Sequence, residues 1–173
     1  FHFHWGSSPY EGSEHTVDGL AYPLEGHFVH VNQGLTLMEA KKRPDGLAVL
    51  GVFYNVTEGL QSSLDSEAVE IMRQALAPVV AVQKPGDAKK PQVSLAPVGL
   101  LPSYKTAFYR YSGSLTTPDC SQAVVWTVFR QPVTILQEQV ALLRTLNDAQ
   151  WKPMLRNYRR PQPANGREVL RTF

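Results

Sequence analysis

FHFHWGSSPYEGSEHTVDGLAYPLEGHFVHVN, residues Phe1 to Asn32, decides how this chain is read. All five histidines of the 173-residue sequence fall inside it, as His2, His4, His15, His27 and His30, beside the acids Glu14 and Glu25. Side chains alternate between the two faces of a strand. A strand over His2 to Trp5 therefore puts His2 and His4 on one face and Phe3 and Trp5 on the other. Leu24 to Val31 (LEGHFVHV) reads as a second strand. Glu25, His27, Val29 and Val31 share one of its faces, and Phe28 and His30 share the other. Residues 5–26 leave room for a turn and a return strand, so His2, His4 and His27 can converge on one point. Three neutral imidazoles with an open fourth position make a catalytic zinc arrangement. Glu25, on the His27 face, is the candidate to hold that ligand's second ring nitrogen.

Spacing alone leaves other readings open. Histidines on strands are commonly packed or solvated without binding anything. Cupin barrels also combine His-x-His with a glutamate and a later histidine, although there the glutamate follows the pair closely and Glu14 does not.

Length and composition narrow the field. The sequence is long enough to bury a core as a single domain spanning 1–173. It is 43% hydrophobic and 18% charged, which excludes a disordered chain. A net charge of +2 is too mild for a nucleic-acid binder. No apolar run reaches the ~20 residues of a membrane span. Cys120 is the single cysteine and Asn55-Val56-Thr57 is an N-glycosylation sequon. Together they lean toward an oxidising, extracellular setting, secreted or at the cell surface, with Asn55 as the candidate glycan site. The chain opens directly on the first histidine strand. This sets the expectation that the native protein begins upstream and that the domain lacks its N-terminal part.

Further along, Leu35 to Glu39 reads as a short strand and Lys41 to Gly46 as a charged turn. Leu47 to Tyr54 (LAVLGVFY) reads as a fully buried central strand ending near the sequon. Leu64 to Leu76 has helical spacing with Asp65 or Ser66 as its N-cap, and Lys84 to Pro91 reads as a loop. Phe108 to Tyr111 reads as an aromatic strand, Ser112 to Cys120 as a loop and Val124 to Val128 as a buried strand. Leu136 to Leu146 reads as an amphipathic helix, and Glu168 to Leu170 as a β-like return. Strands outnumber helices. The expected fold is mainly β (α+β): one domain with a largely antiparallel, twisted central sheet and short surface helices.

The quoted stretches FHFHWG, GSEHTVDG and Glu25-Gly26-His27-Phe28-Val29-His30, followed by LAVLGVF, YSGSLTTP and VVWTVF, resemble the α-class carbonic anhydrases. The likeness keeps its order over nearly the whole chain, through Asn157-Tyr158-Arg159 and Gln162-Pro163. Pro118-Asp119-Cys120 resembles the extracellular and membrane-associated members, in which this cysteine is paired with one near the N-terminus of the domain. That partner is absent from this sequence.

The resemblance implies reversible hydration of carbon dioxide to bicarbonate and a proton by zinc-bound hydroxide, with zinc at the base of a conical cavity. It implies His2, His4 and His27 as zinc ligands and Glu25 as the acid behind His27. Thr116 would accept a hydrogen bond from the hydroxide and pass its own proton to Glu14. Val29, Val49, Leu115, Thr117, Val124 and Trp126 would form the substrate pocket. The family often moves the released proton through an upstream histidine. His15 and His30 match buried structural histidines instead, so no shuttle is assigned. Sulfonamides and small anions would inhibit. The alternative is a non-catalytic extracellular matrix or binding protein on the same scaffold. Retention of all three histidines, Thr116 and Glu14 favours the enzyme. The sequence leaves the oligomeric state open.

Overall fold

The structure, a computed structural model, describes residues 1–59, 63–82, 85–89 and 94–173. Its elements in chain order are β1 (His2–Trp5), β2 (Leu24–Val31), α1 (Leu37–Ala40), β3 (Leu47–Thr57), α2 (Ser63–Leu76), β4 (Phe108–Gly113), β5 (Val124–Phe129), β6 (Val133–Leu136), α3 (Gln137–Leu143) and β7 (Leu170–Arg171). Short 3-10 turns cover Ala77–Ala81 and Pro97–Leu100. Among the described residues no helix is long and apolar enough to cross a membrane.

The strands form one seven-stranded sheet in the order β1-β2-β3-β5-β4-β7, with β6 also paired to β3. β1/β2, β2/β3, β4/β5 and β4/β7 are antiparallel, while β3/β5 and β3/β6 are parallel. The sheet is therefore largely antiparallel, as the alternating patterns predict. β3 organises it. One edge of β3 carries β2 along Leu47–Tyr54, and the other carries β5 along Leu47–Gly51 and β6 along Tyr54–Thr57. Pro132 lies between β5 and β6, where the missing N–H rules out a continuous ladder.

The two faces of the sheet bury separate apolar clusters. On one, Trp5, Leu24, Phe28, Val52 and Tyr54 pack against Met72 and Leu76 of α2 and Val140 and Leu143 of α3. On the other, Leu47, Val49, Phe53, Val124, Trp126 and Val128 pack together. Burying each such side chain stabilises the fold by about 1.5–3 kcal/mol. The second face also carries Glu25 and His27, so the apolar cluster forms the wall beside the acid–histidine group.

Several expectations are corrected. Leu35 to Glu39 is not a strand. Thr36 caps α1 by accepting from the Glu39 N–H, and the Glu39 carboxylate accepts from the Thr36 N–H, a reciprocal box that starts a helix. α2 begins at Ser63, which places Asp65 and Ser66 inside its first turn and not at its cap. β3 is not fully buried, because Ala48 is exposed. Asn55 lies within β3, exposed and opposite Thr134 of β6, rather than beyond its end. Ser112 and Gly113 belong to β4. β6 was not anticipated, and it claims Leu136, so α3 starts one residue later and ends at Leu143. The β-like tail pairs through Leu170 and Arg171. Of the expected loop Lys84 to Pro91, residues 84, 90 and 91 lie outside the described residues; 85–89 contain neither helix nor strand.

Candidate metal centre

The register of β1 and β2 sets His2 opposite His27 and His4 opposite Glu25. The ring centroids of His2, His4 and His27 lie 4.6–5.2 Å apart. One ligand-capable atom from each can be chosen so that all three lie within 4.8 Å of one another. His4 and His27 are buried and His2 sits at the exposed rim.

Hydrogen bonds select which nitrogens face inward. His4 Nδ1 lies 3.1 Å from the carbonyl oxygen of Asn157. Donation there leaves Nε2 bare, and Nε2 is buried with no hydrogen-bond partner among the described residues. His27 Nε2 lies 2.7 Å from Glu25 Oε1, so its proton points at the carboxylate and Nδ1 keeps its lone pair. An unpartnered buried acceptor costs about 1–3 kcal/mol. A divalent cation that takes these lone pairs removes that cost. Charge is also suited to a cation: burial, followed by the neighbouring His27, lowers the His4 pKa. Burial, followed by His27 and His4, lowers that of His2 to about 4. Both rings are thus neutral at pH 7, the state a metal requires.

Glu25 is completely buried and fully bonded. Its Oε2 accepts from the backbone N–H groups of Glu14 and His15, both at 2.9 Å. Its Oε1 takes His27 Nε2 and also His15 Nδ1 at 2.6 Å. Burial works to raise its pKa, but His15 and the ring hydrogen bonds outweigh this and hold it well below the carboxylate range. His15 shows the reciprocal effect. Burial opposes its charge, yet Glu25 raises its pKa. His15 Nε2 in turn meets the Tyr111 hydroxyl at 2.6 Å. His15, Glu25 and His27 also cluster within metal-binding distance. Their facing nitrogens are spent on Glu25 Oε1, so the His2–His4–His27 group is the metal-ready one.

Glu14 is buried beside the cluster, its Oε1 3.3 Å from His4 Nδ1 and its Oε2 4.0 Å from His27 Nδ1. Its Oε1 accepts from the backbone N–H of Arg159 at 2.7 Å, and its Oε2 has no hydrogen-bond partner among the described residues. Glu14 and the half-buried Thr116 line one cavity of about 340 Å³, which also includes His15, Tyr111, Arg159 and Arg167. The Trp126 indole N–H donates to the Ser114 carbonyl at 3.0 Å and anchors the loop that carries Thr116. Thr117 is exposed.

Val29, Val49 and Trp126 stand in one row across β2, β3 and β5. Val49, Val124 and Trp126 are buried, Leu115 packs against them, and Val29 is 36% exposed. None of these five lines the 340 Å³ cavity. The Trp126 ring meets both His27 and His15 edge-on at 4.7 Å.

His30 is exposed, against the expectation of a buried structural histidine. β1 pairs only with Leu24–His27, so His30 lies beyond its cover, opposite the exposed Ala48. His15 is half-buried in the Glu25 network. Cys120 is a free, half-buried thiol.

Three contributors escaped the reading of residue types: the Asn157 carbonyl, the Arg159 N–H and the Tyr111 hydroxyl. The first two are backbone groups, which leave no mark in a sequence. The Asn157 side chain also ties down β1, accepting from the Trp5 N–H at 2.8 Å and donating to the Phe3 carbonyl at 3.0 Å.

The family description "Eukaryotic-type carbonic anhydrase" matches residues 1–173, the whole chain. "Putative carbonic anhydrase 5" of Caenorhabditis elegans is 44% identical over 169 residues, covering 98% of this chain and 52% of that protein. "Putative carbonic anhydrase 3" of the same organism is 38% identical over 170 residues, covering 98% and 62%. "Carbonic anhydrase 3" of Equus caballus is 38% identical over 178 residues, covering 100% and 64%. The chain spans between about half and two thirds of the length of these relatives. With a match that runs from its first residue to its last, this chain belongs to the eukaryotic-type carbonic anhydrase family.

Proposed function

We propose that His2, His4 and His27 hold a zinc ion and that the protein carrying this chain is an enzyme that reversibly hydrates carbon dioxide to bicarbonate. The observation that carries this reading is the convergence of three imidazole ligand atoms, with His4 Nε2 buried and bare. Three imidazoles and an open position suit zinc. When bound, zinc supplies a nucleophile at neutral pH by lowering the pKa of a water from ~15.7 to about 7.

The chain's own residues orient the reaction. Glu25 holds the His27 proton on Nε2 and so keeps Nδ1 free. Asn157 does the same for His4 by taking the proton on Nδ1. Glu14 Oε2, buried and unpartnered, is an acceptor waiting for a proton donor, and Thr116 lines the same cavity. A Thr116 hydroxyl that donates to Glu14 has only lone pairs left. It would therefore accept a hydrogen bond from the nucleophile and direct the attacking lone pair to the substrate. The row Val29–Val49–Trp126, with Val124 and Leu115 behind it and Thr117 at the loop, supplies an apolar wall for an uncharged gas.

Stopped-flow hydration of carbon dioxide on as-isolated, zinc-stripped and zinc-restored protein tests this. Activity that leaves and returns with the metal supports it. Stoichiometric zinc without activity would overturn the enzyme reading in favour of a binding protein on this scaffold. Sulfonamides and small anions should inhibit by competing for the open metal position.

We also place the protein outside the cytoplasm. Asn55 of the sequon is exposed, and Cys120 is half-buried and available to a partner thiol. Expression in a secreting cell, followed by glycosidase treatment and mass analysis, tests this. Unmodified Asn55 and a product confined to the cell would overturn it.

A further inference from the structure

A chain of four side chains leads away from the metal-ready cluster. His27 Nε2 and His15 Nδ1 both point at Glu25 Oε1, at 2.7 and 2.6 Å. His15 Nε2 then meets the Tyr111 hydroxyl at 2.6 Å. A carboxylate only accepts, so both rings present N–H groups to it. That leaves His15 Nε2 as the one nitrogen whose state the chain has not determined. The Tyr111 hydroxyl is the group that meets it. Tyr111 is braced: its ring stacks near Trp126 at 6.3 Å and 8°, and Arg167 lies 6.0 Å over its face. Its backbone is fixed opposite Trp126 in the β4/β5 ladder.

We propose that Tyr111 is a positioning residue for the metal centre: its hydroxyl donates to His15 Nε2, holds His15 with its N–H on Glu25, and so keeps Glu25 aligned to orient His27. This rests on the reading of His2, His4 and His27 as the zinc ligands. The hydroxyl is suited to the donor role, since burial, followed by the Glu25 charge, raises its pKa and keeps the proton on oxygen. Without that donor, His15 Nε2 loses its partner and the ring is free to turn, so the acid loses the fixed geometry of one of the two ring contacts that hold it. Partners that orient a metal-bound histidine typically change metal affinity by roughly 10–100-fold when lost.

The test uses 15N-histidine protein, metal-free, at about pH 9, where neutral rings report their tautomer. The expected wild-type spectrum has His15 protonated on Nδ1 and bare on Nε2, with His27 protonated on Nε2. Tyr111→Phe keeps the ring stack and removes only the hydroxyl. It should loosen the His15 Nδ1–H contact to Glu25, read as faster exchange of that proton with solvent, and weaken zinc binding by about tenfold, measured by chelator competition. A purely structural tyrosine would lower the melting temperature and leave both readouts unmoved. A wild-type His15 protonated on Nε2 would overturn the proposal without any variant, and so decides the matter even if Tyr111→Phe fails to fold. Wild-type zinc binding that survives in Tyr111→Phe within twofold would overturn it alone. Wild-type protein that binds no zinc would instead overturn the metal reading beneath it.

Discussion

Replacing Glu25 by glutamine keeps the shape of the side chain and removes its charge and one acceptor oxygen. Four N–H donors converge on the native carboxylate: two backbone groups on Oε2 and two imidazoles on Oε1. An amide turns its NH2 toward one of these pairs whichever way it rotates. The backbone donors cannot adapt, so the amide oxygen stays with them and the NH2 faces the rings. His15 can shift its proton to Nε2 and use the Tyr111 oxygen as acceptor. His27 has no such freedom without placing a proton on Nδ1, the nitrogen that faces the metal. The variant therefore either leaves a donor opposed at a ring that is 1% exposed or blocks the metal-facing lone pair. The first outcome costs about 1–3 kcal/mol, within the 5–15 kcal/mol stability usual for a domain. The second weakens zinc by roughly 10–100-fold.

Urea unfolding of the metal-free protein and zinc titration against a chelator measure the two costs. The pH dependence supplies a third check. Glu25 has its folded pKa well below the ordinary 4.5, so its contribution is fully present above about pH 4.5 and is lost as pH falls through the folded value. The gap in stability between wild type and Glu25→Gln should therefore narrow in acid. A variant with the same urea midpoint, the same zinc affinity and a constant gap would refute the reasoning.

Other substitutions probe separate links. His4→Ala should abolish stoichiometric zinc binding with the sheet retained by circular dichroism; full occupancy in that variant would remove His4 from the ligand set. Thr116→Ala should keep zinc and slow carbon dioxide hydration by roughly 10²–10³-fold, the usual loss for one oriented polar contact at the reacting atoms. An unchanged rate takes Thr116 out of the mechanism. Asn157→Ala removes the acceptor for the Trp5 N–H and the donor to the Phe3 carbonyl. It should cost about 1–3 kcal/mol, read as a fall in melting temperature, and an unchanged midpoint would show β1 to be held by pairing with β2 alone. Val49→Tyr forces a ring into a position 1% exposed between Val29 and Trp126. Overpacking of this kind costs about 1–3 kcal/mol, and stopped-flow hydration should fall with zinc retained; wild-type turnover would put the substrate elsewhere.

Alternation was the most informative signal in the chain, because the period of two is a property of the strand and needs no partner. It placed His2 with His4 and Glu25 with His27, and the structure shows those faces. The capping pair Thr36 and Glu39 was also legible, as a Thr-x-x-Glu pattern, yet the local apolar residues pulled the reading toward a strand. β6 was harder, since Val133–Leu136 is four residues long and acquires its identity by pairing with β3. His30 shows the limit of pattern in the other direction: its place on the strand is readable, but its exposure depends on how far β1 extends along β2.

By itself, then, the sequence determined which side chains share a face, that the chain would be mainly β, and which family it resembles. Each follows from residue type and spacing along one segment. Only the tertiary structure decided which nitrogen of each histidine is free. For His4 that choice is made by the Asn157 carbonyl 153 residues away; likewise the Arg159 N–H 145 residues from Glu14 decides which oxygen of that acid is engaged, and the Tyr111 hydroxyl 96 residues from His15 meets its Nε2. Hydrogen bonds between groups so far apart in the chain exist only once the sheet has closed, because the backbone donors and acceptors that make them are common to every residue.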